Sequence, residues 1–576
     1  MPRWWVGDAQ RWDREQRELA DADIRFRIDD KALAAGKLVL ALELEMDGQS
    51  LRLTAHFPTH YPYFPPMVVA PDLDLERHQT PGTKQLCLLG QGGEAWAPAS
   101  DTLAGLLRSQ LPRVFASQPG GAADDGTEEA HEGVPITGFL SVEESSFVGF
   151  PSFSFDRLAA HGTFRMGLDG LKPLRGTVLE ITDSDGMTVA TSEARNEAYY
   201  AARRAPLVTG RWVRLEKRPP ATDAKHYYEI AIQALAALEQ PRWEPLPGHT
   251  KPRVDLLALL FEDELVWQGR GGNVIVVSKT IEQNAQAVRG KVEQRLHRAE
   301  LESRQNYFMR DPLAQGLGKG TVSIAGAGSV GSPAAKFLAQ AGIGQLRIVD
   351  QDVLDAGNAI RWEIGRSGAG QPKAHVLHQF IEANFPYTKV IGVHAKIGNP
   401  ITAGGPQDQE LDDHLFRKVT CVLDATASIP VNQFLSEMAR LQSVPYIWMH
   451  STNGAWGGLV GMAGPRREDF CWMCHLFYLK GGQIEALAAA PEGDVVQPPG
   501  CLDPTFVGSQ VDLTEVSLMG ARRVMQEVLT QVDKAETERT YPWNIASLRL
   551  RDEHGRPQLP VWTPYQLPPH AECPNH

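Results

Sequence analysis

The sequence predicts a multidomain protein that combines an α+β region with an α/β region, and three observations support this fold class. The chain has 576 residues, which is too long for one hydrophobic core when a domain averages about 150 residues. Residues 321–350 run as an apolar strand, a glycine-rich loop, an alanine-rich helix and a second strand that ends on Asp350. That order is typical of a nucleotide-binding βαβ unit. Residues 1–118 instead contain helices and paired strands without such a loop.

Residues 1–118 form the first predicted domain. An amphipathic helix is expected at residues 9–20, and the alternating segments 38–46 and 51–57 flank Asp47-Gly48, a dipeptide that favours a hairpin turn. A later segment carries leucines at the spacing of one helix face, and they are Leu103, Leu106, Leu107 and Leu111. The domain is therefore predicted to contain a helix, antiparallel strands and a second helix.

Cys87 is the one cysteine of this first domain. It lies in Leu86-Cys87-Leu88, after Tyr61-Pro62-Tyr-Phe-Pro-Pro and His78, and before Trp96-Ala-Pro98. This order of motifs resembles the ubiquitin-conjugating enzyme fold over nearly its full length. The resemblance implies that Cys87 is a catalytic cysteine that carries a thioester. A thiol forms such an ester readily from an acyl-adenylate, and the ester still reacts with an amine.

The sequence departs from that family just before the cysteine. The family usually has His-Pro-Asn, whose asparagine supports the oxyanion or the active-site loop, whereas this chain has His78-Gln79-Thr80. Two interpretations stay open: either Gln79, Thr80 or Gln85 takes over the donation, or the site is slow or inactive. A small buried hydrophobic residue between leucines is the alternative to a catalytic Cys87.

Two further segments precede the glycine loop. Residues 119–135 contain few apolar residues and many small and acidic ones, which predicts a flexible linker. Residues 136–300 alternate strand-like pieces with turns and include an amphipathic helix near residues 227–238. We expect them to form a central mixed α/β scaffold or linker domain that positions the first domain. Residues 280–305 have the pattern of a long charged helix.

The glycine loop, Gly326-x-Gly328-x-x-Gly331, lets backbone amides at a helix N-terminus approach a phosphate. Asp350 alone would also suit the ribose of a nicotinamide dinucleotide. An added arginine, lysine and distal aspartate suit a triphosphate with Mg²⁺, because its charge must be neutralised and its leaving group oriented. We therefore expect ATP and Mg²⁺ as cofactors. The candidate binding residues are Asp350, Asn358, Arg361, Lys373 and Asp424.

Residues 301–576 form the last predicted domain. Gly-Ala-Gly-Ser-Val-Gly, Ala-Gly-Ile-Gly-Gln-Leu-Arg-Ile-Val-Asp-Gln-Asp, Asn358-Ala-Ile-Arg361 and Lys373-Ala resemble the adenylation domain of ubiquitin-activating and sulfur-carrier-activating enzymes, the ThiF/MoeB type. The resemblance implies a Rossmann-like, doubly wound sheet and a homodimer. It also implies ribose binding by Asp350, metal binding by Asp424 and phosphate binding by the other three candidates.

The same resemblance implies an arginine upstream of the glycine loop that reaches the ATP of the partner subunit. Arg304 is the candidate and Arg310 its rival. A solvated helix face is the alternative for each of them.

Five of the six cysteines lie in the last domain. Cys471-Trp-Met-Cys474 and Cys573-Pro-Asn-His576 have the spacing of metal ligands, and together they would close a tetrahedral, structural Zn²⁺ site. Sulfur-carrier-activating enzymes have a similar two-pair zinc site. A redox Cys-x-x-Cys pair and a tail that binds nothing are the alternatives, and His475 could substitute as a ligand.

Cys501 is the second candidate catalytic cysteine. It lies in a loop rich in turn formers, before a helix expected at residues 511–528. In the enzymes that this region resembles, a cysteine at this place attacks the acyl-adenylate. A buried structural thiol is the alternative. Cys421 precedes Asp424 on an apolar strand and is expected in the core.

Charge and hydropathy exclude some partners. The net charge is −13, from 57 basic and 70 acidic residues, and no run of like charge would form a nucleic-acid-binding tail. No apolar run approaches the roughly 18 residues of a membrane span, and the N-terminus lacks an apolar signal core. We expect a cytoplasmic protein without nucleic-acid or membrane partners.

The chain thus combines a conjugating half and an activating half. This order resembles the bacterial fusion enzymes of antiphage CBASS operons, in which the protein joined is the nucleotidyltransferase (CD-NTase), while related operons use a ubiquitin-like protein. The expected partners are a protein with an exposed C-terminus and an acceptor amine on a target protein. Three alternatives stay open: sulfur-carrier or modifier activation without conjugation, an NAD-binding oxidoreductase, and a non-catalytic modifier-binding scaffold.

Overall fold

The computed structural model describes residues 3–46, 48–89, 96–118, 136–235, 243–246, 253–266, 269–282, 291–311, 313–398, 408–491, 495–496, 505–532 and 541–576. The chain divides into two compact units, Met1–Glu302 and Ser303–His576. Among the residues that the structure describes, no helix is both long enough and apolar enough to cross a lipid bilayer.

The first unit begins with a small α+β region. Its elements are α1 (Trp4–Gly7), α2 (Ala9–Asp21), β1 (Arg25–Ile28), α3 (Asp30–Ala34), β2 (Leu38–Met46), β3 (Gln49–Phe57), β4 (Met67–Val69) and α4 (Leu103–Ala116). The four strands form an antiparallel meander in sequence order. The hairpin predicted between β2 and β3 is confirmed, because Met46 pairs with Gln49 and Gly48 adopts the positive φ that such a turn needs.

The two long helices of this region bury the faces that the sequence predicts. Leu103, Leu107 and Leu111 of α4 are at most 1% exposed, and Thr102 caps the helix by accepting a hydrogen bond from the Gly105 amide. Helix, meander and helix follow in the order expected from the motifs. The ubiquitin-conjugating enzyme fold itself stays a prediction.

A charged network joins α2 to the start of α4. Glu15 is completely buried, and its carboxylate accepts hydrogen bonds from Tyr61 and from the Leu103 amide. Arg11 lies 3.1 Å from the same carboxylate and also donates to the Pro98 carbonyl. Burial raises the pKa of Glu15, and the hydrogen bonds from Tyr61 and Leu103 and the charge of Arg11 oppose that shift.

The rest of the first unit is built on a ten-stranded sheet. Its elements are β5 (Phe147–Pro151), β6 (His161–Leu171), β7 (Leu174–Asp183), β8 (Thr188–Thr191), α5 (Glu197–Ala202), β9 (Leu207–Arg214), α6 (Ala224–Leu235), β10 (Glu244–Pro245), β11 (Arg253–Val266), β12 (Gly269–Glu282), β13 (Lys291–His297) and β14 (Ala299–Glu302). The main strand order is β13-β12-β11-β9-β6-β7-β5-β14, with β10 on β11 and β8 on β7. The buried face of α6 packs on this sheet through Tyr227, Tyr228, Ala231 and Leu235.

The helix expected at residues 280–305 is wrong for the part of that segment that the structure describes. The segment contains the end of β12, then β13 and β14, and only its last two residues begin a helix, Arg304–Tyr307. β13 pairs antiparallel with β12 from Lys291 opposite Glu282 to His297 opposite Val276. Lysine, glutamate and glutamine favour helices locally, but the hydrogen bonds to β12 and the burial of Leu296 outweigh that preference.

The second unit is an α/β domain. Its elements are α7 (Arg304–Tyr307), α8 (Ala314–Leu317), β15 (Thr321–Ala325), α9 (Gly331–Gln340), β16 (Gln345–Asp350), α10 (Lys373–Asn384), β17 (Lys389–His394), α11 (Asp408–Phe416), β18 (Cys421–Asp424), α12 (Ile429–Leu441), β19 (Tyr446–Ser451), β20 (Gly457–Ala463), α13 (Trp472–Lys480), β21 (Val495–Val496), β22 (Thr505–Phe506), α14 (Gln510–Val532), β23 (Ile545–Arg551) and β24 (Pro557–Tyr565).

The eight-stranded sheet of this unit has the order β17-β16-β15-β18-β19-β20-β23-β24. The five strands from β17 to β19 are parallel, and the last three are antiparallel additions. Strand residues alternate between two cores: Val322 and Ile324 pack with α9, α10 and α14, whereas Ala325 and Val422 pack with α11, α12 and α13. Helices cover both faces, so the predicted doubly wound sheet is confirmed.

We expect an Arg11→Met substitution to destabilise the first region of the chain. The change leaves the Glu15 carboxylate buried without its cation, which typically costs about 3 kcal/mol. Hydrogen-exchange mass spectrometry should show protection of the α2 amides falling by about two orders of magnitude. The exposed Arg17→Met on the same helix is the matched control, and equal protection in both variants would contradict the assignment.

Candidate functional site

The candidate site lies at the carboxyl ends of the parallel strands. From β15 the chain moves outward to β16 and β17 and then returns to β18 on the other side of β15. The loops after β15 and β18 therefore diverge, which opens a crevice between them. In open α/β sheets, ligands bind in that crevice.

The glycine loop fits closely against the turn that follows β18. Gly326 has φ +87°, and a Cβ there would lie 2.9 Å from the Ala425 backbone. A Cβ on Gly331 would lie 2.0 Å from the Gly326 carbonyl oxygen. A Cβ on Gly328, by contrast, would have no described heavy atom within 4 Å. Two glycines are thus needed for packing, and the third leaves the loop open where a phosphate could approach.

Asp350, at the end of β16, holds the glycine loop in place. Its Oδ2 accepts a hydrogen bond of 2.6 Å from the Ala327 amide, and its Oδ1 accepts one of 2.7 Å from the Asp352 amide. Burial raises the pKa of this carboxyl group, and the two backbone hydrogen bonds oppose that shift. Each oxygen keeps a second lone pair, so the carboxylate could still accept a ribose hydroxyl.

Lys373 and the 3₁₀ helix Ala356–Arg361 lie at the same edge. Lys373 is the first residue of α10, is largely buried, and donates to Asp352 at 2.8 Å. Asn358 accepts a hydrogen bond from the Asp355 amide inside the 3₁₀ helix, which ends at Arg361. Trp362, the next residue, donates to the Ala327 carbonyl at 2.6 Å. The phosphate-binding candidates are therefore tied to the glycine loop.

Asp424 is completely buried beneath the crevice. Its Oδ1 accepts hydrogen bonds from the Thr426 amide and hydroxyl, and its Oδ2 accepts from Asn432 and Tyr446 at 2.8 Å each. Burial raises its pKa. A metal ion could reach this carboxylate only by displacing one of its four donors. In this arrangement Asp424 shapes the turn that supports Gly326.

Four potential metal ligands converge at the C-terminal end of the chain. The ligand atoms of Cys471, Cys474, Cys573 and His576 all lie within 4.8 Å of one another. The Cys471 sulfur lies 3.6 Å from that of Cys474 and 3.7 Å from that of Cys573, and the Cys474 sulfur lies 3.1 Å from Nε2 of His576. A tetrahedron with zinc–sulfur bonds of 2.3 Å has edges of about 3.8 Å, so the set fits a tetrahedral ion.

His475 is not part of this set. Its ring faces Trp448, with centroids 5.6 Å apart, and neither nitrogen has a hydrogen-bond partner within the described residues. Burial lowers its pKa to about 3. His475 is a neutral core residue and does not serve as the replacement metal ligand considered in the sequence analysis.

Comparison with known proteins identifies the second unit. Residues 302–499 match the model of the ThiF family. The chain is 30% identical to "Uncharacterized protein y4oA" of Sinorhizobium fredii over an alignment of 572 residues, which covers 93% of this chain and 92% of that protein. The chain belongs to the same family as y4oA, and its second unit contains a ThiF domain.

The relatives of the ThiF domain include proteins with functional names. The "SAMP-activating enzyme E1" of Haloferax volcanii is 28% identical over 24% of this chain and 47% of that protein. The "Probable adenylyltransferase/sulfurtransferase MoeZ" of Mycobacterium tuberculosis is 33% identical over 22% of this chain and 30% of that protein. The chain thus spans less than half the length of either of these two relatives.

Arg304 precedes the ThiF domain's first strand and turns toward its own subunit. Its guanidinium donates to the backbone carbonyls of Ala314, Gly342 and Tyr387 and lies 4.8 Å from the Phe308 ring centroid. Arg304 therefore holds together the three segments that contain these carbonyls, and its guanidinium does not extend toward a partner subunit. Arg310 remains the sequence-based candidate for a contact across a dimer.

Outside the ThiF domain, Cys87 lies on an exposed strand-like segment. The Cys87 amide donates to the His78 carbonyl at 2.8 Å, and the Thr80 amide donates to the Gln85 carbonyl at 2.8 Å. Gln79 and Leu86 pair between these two bonds and are both buried. Cys87 follows the buried Leu86 and is itself exposed, so its side chain lies on the opposite face. His78 is half-buried and has a positive φ.

Gln79 is excluded as a replacement for the missing asparagine. Its amide accepts a hydrogen bond from the Leu75 amide and donates to the Ala70 carbonyl, on the buried side of the pair. Thr80 and Gln85 remain as candidates because they share the face of Cys87. The surrounding protein desolvates the Cys87 thiolate and raises its pKa.

Cys501 lies outside the described residues. Among those described, sequence reasoning missed Trp362, Asn432 and Tyr446, which hold the glycine loop and Asp424. Trp362 belongs to no spaced motif that would single it out, and Tyr446 looks in the sequence like an ordinary residue of an apolar strand. Their roles depend on contacts between distant segments.

We expect Gly331→Ala and Gly328→Ala to differ sharply in stability. The first substitution forces the glycine loop away from β18, because the new methyl group overlaps the Gly326 carbonyl oxygen, and overpacking of this kind costs about 2 kcal/mol. The second enters open space. Urea unfolding of the two variants beside the wild type is the measurement. A Gly331→Ala variant as stable as Gly328→Ala would show that the loop is not packed as described.

Proposed function

We propose that the ThiF domain uses ATP to adenylate the C-terminal carboxylate of a protein, and that the chain then conjugates that protein to an amine. The observation that carries this proposal is the gathering of the glycine loop, Asp350 and Lys373 at the switch point of the sheet. A loop of backbone amides, a ribose-accepting carboxylate and a buried cation together suit a nucleoside triphosphate. The name of the H. volcanii relative, an activating enzyme, supports the same reaction class.

The first step needs positive groups around the phosphates. A carboxylate oxygen of the substrate attacks the α-phosphorus, the bond to the β-phosphate oxygen breaks, and pyrophosphate leaves. Lys373, Arg361 and the loop amides would stabilise the charge that develops on the phosphate oxygens. Asp350 would fix the ribose. Mg²⁺ normally accompanies ATP, but Asp424 offers it no unoccupied position, so no step here depends on that residue as a ligand.

Two thiols would then carry the acyl group. The Cys501 thiolate attacks the acyl carbon and releases AMP, and the Cys87 thiolate displaces Cys501 to form a second thioester. A lysine amine attacks that ester, which releases the Cys87 thiol and forms an amide. The joined protein would be a CD-NTase or a ubiquitin-like protein in antiphage defence, as the resemblance to CBASS enzymes implies. Dimerisation through the ThiF domain is part of this proposal.

The four-ligand cluster is proposed as a structural Zn²⁺ site. Three cysteine sulfurs and one imidazole leave no open coordination position, so the ion would stabilise the domain without taking part in the reaction. Nδ1 of His576 lies 2.8 Å from the Arg467 carbonyl oxygen, an arrangement that commonly orients a metal-bound imidazole. Bound zinc would connect α13 to the last residues of the chain.

The proposed transfer is tested by trapping the two thioesters. With ATP, Mg²⁺ and a candidate substrate protein, wild-type chain should catalyse pyrophosphate exchange and form an adduct that thiol reductants cleave. A Cys87→Ala variant should keep exchange and accumulate the adduct on Cys501, whereas Cys501→Ala should keep exchange and lose both adducts. Intact-protein mass spectrometry measures them.

The outcomes separate the alternatives. Exchange and a Cys501 adduct, with no adduct on Cys87 and no amide product, would favour activation without conjugation. Binding of NAD with no pyrophosphate exchange would favour an oxidoreductase. Neither exchange nor adduct, with the substrate protein still bound, would leave a non-catalytic scaffold.

We expect the purified chain to contain about one zinc ion per molecule, held by the Cys471/Cys474 and Cys573/His576 pairs. Cys474→Ser should lose the ion and lower the unfolding temperature, because the cluster ties α13 to the C-terminus. Elemental analysis by mass spectrometry is the measurement, with Cys87→Ser as the control that retains zinc. Full zinc occupancy in Cys474→Ser would overturn the assignment.

A further inference from the structure

An exposed histidine lies one strand beyond Asp350. His394 is the last residue of β17 and pairs in register with Asp350, the last residue of β16. Its Nε2 lies 2.7 Å from the Gln351 carbonyl oxygen. The ring of His375, from the first turn of α10, meets it edge to face, with centroids 6.4 Å apart. The imidazole is therefore held in one orientation at the carboxyl edge of the sheet.

The direction of a bound nucleotide follows from the order of the strands. The glycine loop follows β15, and Asp350 ends β16, the neighbouring strand. If the loop takes the phosphates and Asp350 the ribose, the base continues in the same direction, because base and phosphates leave opposite ends of the ribose. The next strand is β17, about 4.8 Å further along the sheet. The base would arrive beside His394.

The hydrogen bond to Gln351 decides which tautomer His394 adopts. A carbonyl oxygen only accepts, so in the neutral imidazole the proton must be on Nε2. Nδ1 is then a hydrogen-bond acceptor. Within the described residues, no hydrogen bond engages it. An acceptor at this position favours a base that has a hydrogen-bond donor at its edge over a base that has an acceptor there.

We propose that His394 selects adenine, by accepting a hydrogen bond at Nδ1 from the exocyclic amine at position 6. This inference rests on the proposed function, because it needs a nucleotide in the crevice. Adenine offers an amine at that position, whereas guanine and hypoxanthine offer a carbonyl oxygen. Two acceptors facing each other leave both without a proton, so the site rejects the 6-oxo bases. His394 is a specificity residue and takes no part in acyl transfer.

The test compares ATP with inosine triphosphate, which differs in the base only by the exchange of the 6-amine for an oxygen and the accompanying ring proton. Calorimetric titration of the full chain with each nucleotide and Mg²⁺ gives the two dissociation constants. We expect wild type to prefer ATP by about tenfold, the effect of one hydrogen bond with an unpaired polar atom in the wrong complex. His394→Leu should bind the two nucleotides within about twofold of each other.

The matched control is His554→Leu, on the turn between β23 and β24 at the opposite edge of the sheet, and it should keep the tenfold preference. If wild type binds ATP and catalyses pyrophosphate exchange but His394→Leu keeps the preference, this inference is wrong and the proposed function stands. The inference is also wrong, and the proposed function again stands, if wild type binds both nucleotides with the same affinity. If wild type binds neither nucleotide, both proposals fall.

Discussion

The site depends on how closely the glycine loop lies against the end of β18. The loop can adopt this position because Gly326 and Gly331 have no side chains where the backbones of two segments meet. The carboxylate of Asp350 then completes the arrangement by accepting the Ala327 amide. Without that close approach, α9 could not begin at Gly331, directly after the loop.

Buried polar groups support the loop from both sides. Trp362 donates a hydrogen bond to the Ala327 carbonyl, and the Ala327 amide donates one to Asp350. On the other side of the loop, Asp424 orders the turn after β18 by accepting four hydrogen bonds. Both carboxylates have raised pKa values because burial disfavours their charge. The hydrogen bond that Asp350 accepts from the Ala327 amide offsets part of that cost only with the loop in place, whereas the donors to Asp424 come from Thr426, Asn432 and Tyr446. The same contacts therefore hold the fold and give the crevice its shape.

The first unit presents its thiol differently. The pairing of residues 78–80 with residues 85–87 leaves Cys87 exposed and uses Gln79 to secure the buried face. Desolvation keeps the Cys87 pKa high, so in the free protein the thiol form is favoured.

The sequence by itself determined the parts whose signal is local: the glycine loop, the hairpin at Gly48, the leucine face of α4, and the Cys-x-x-Cys and Cys-x-x-His pairs with metal-ligand spacing. Tertiary structure decided what depends on distant partners. Residues 291–297 became a strand because β12 offered hydrogen bonds that outweighed helix propensity. Asp424 turned inward because Asn432 and Tyr446 meet it there. Spacing along a chain specifies which backbone conformations are favourable, but a side chain's role depends on which donors and acceptors the fold brings within about 3 Å.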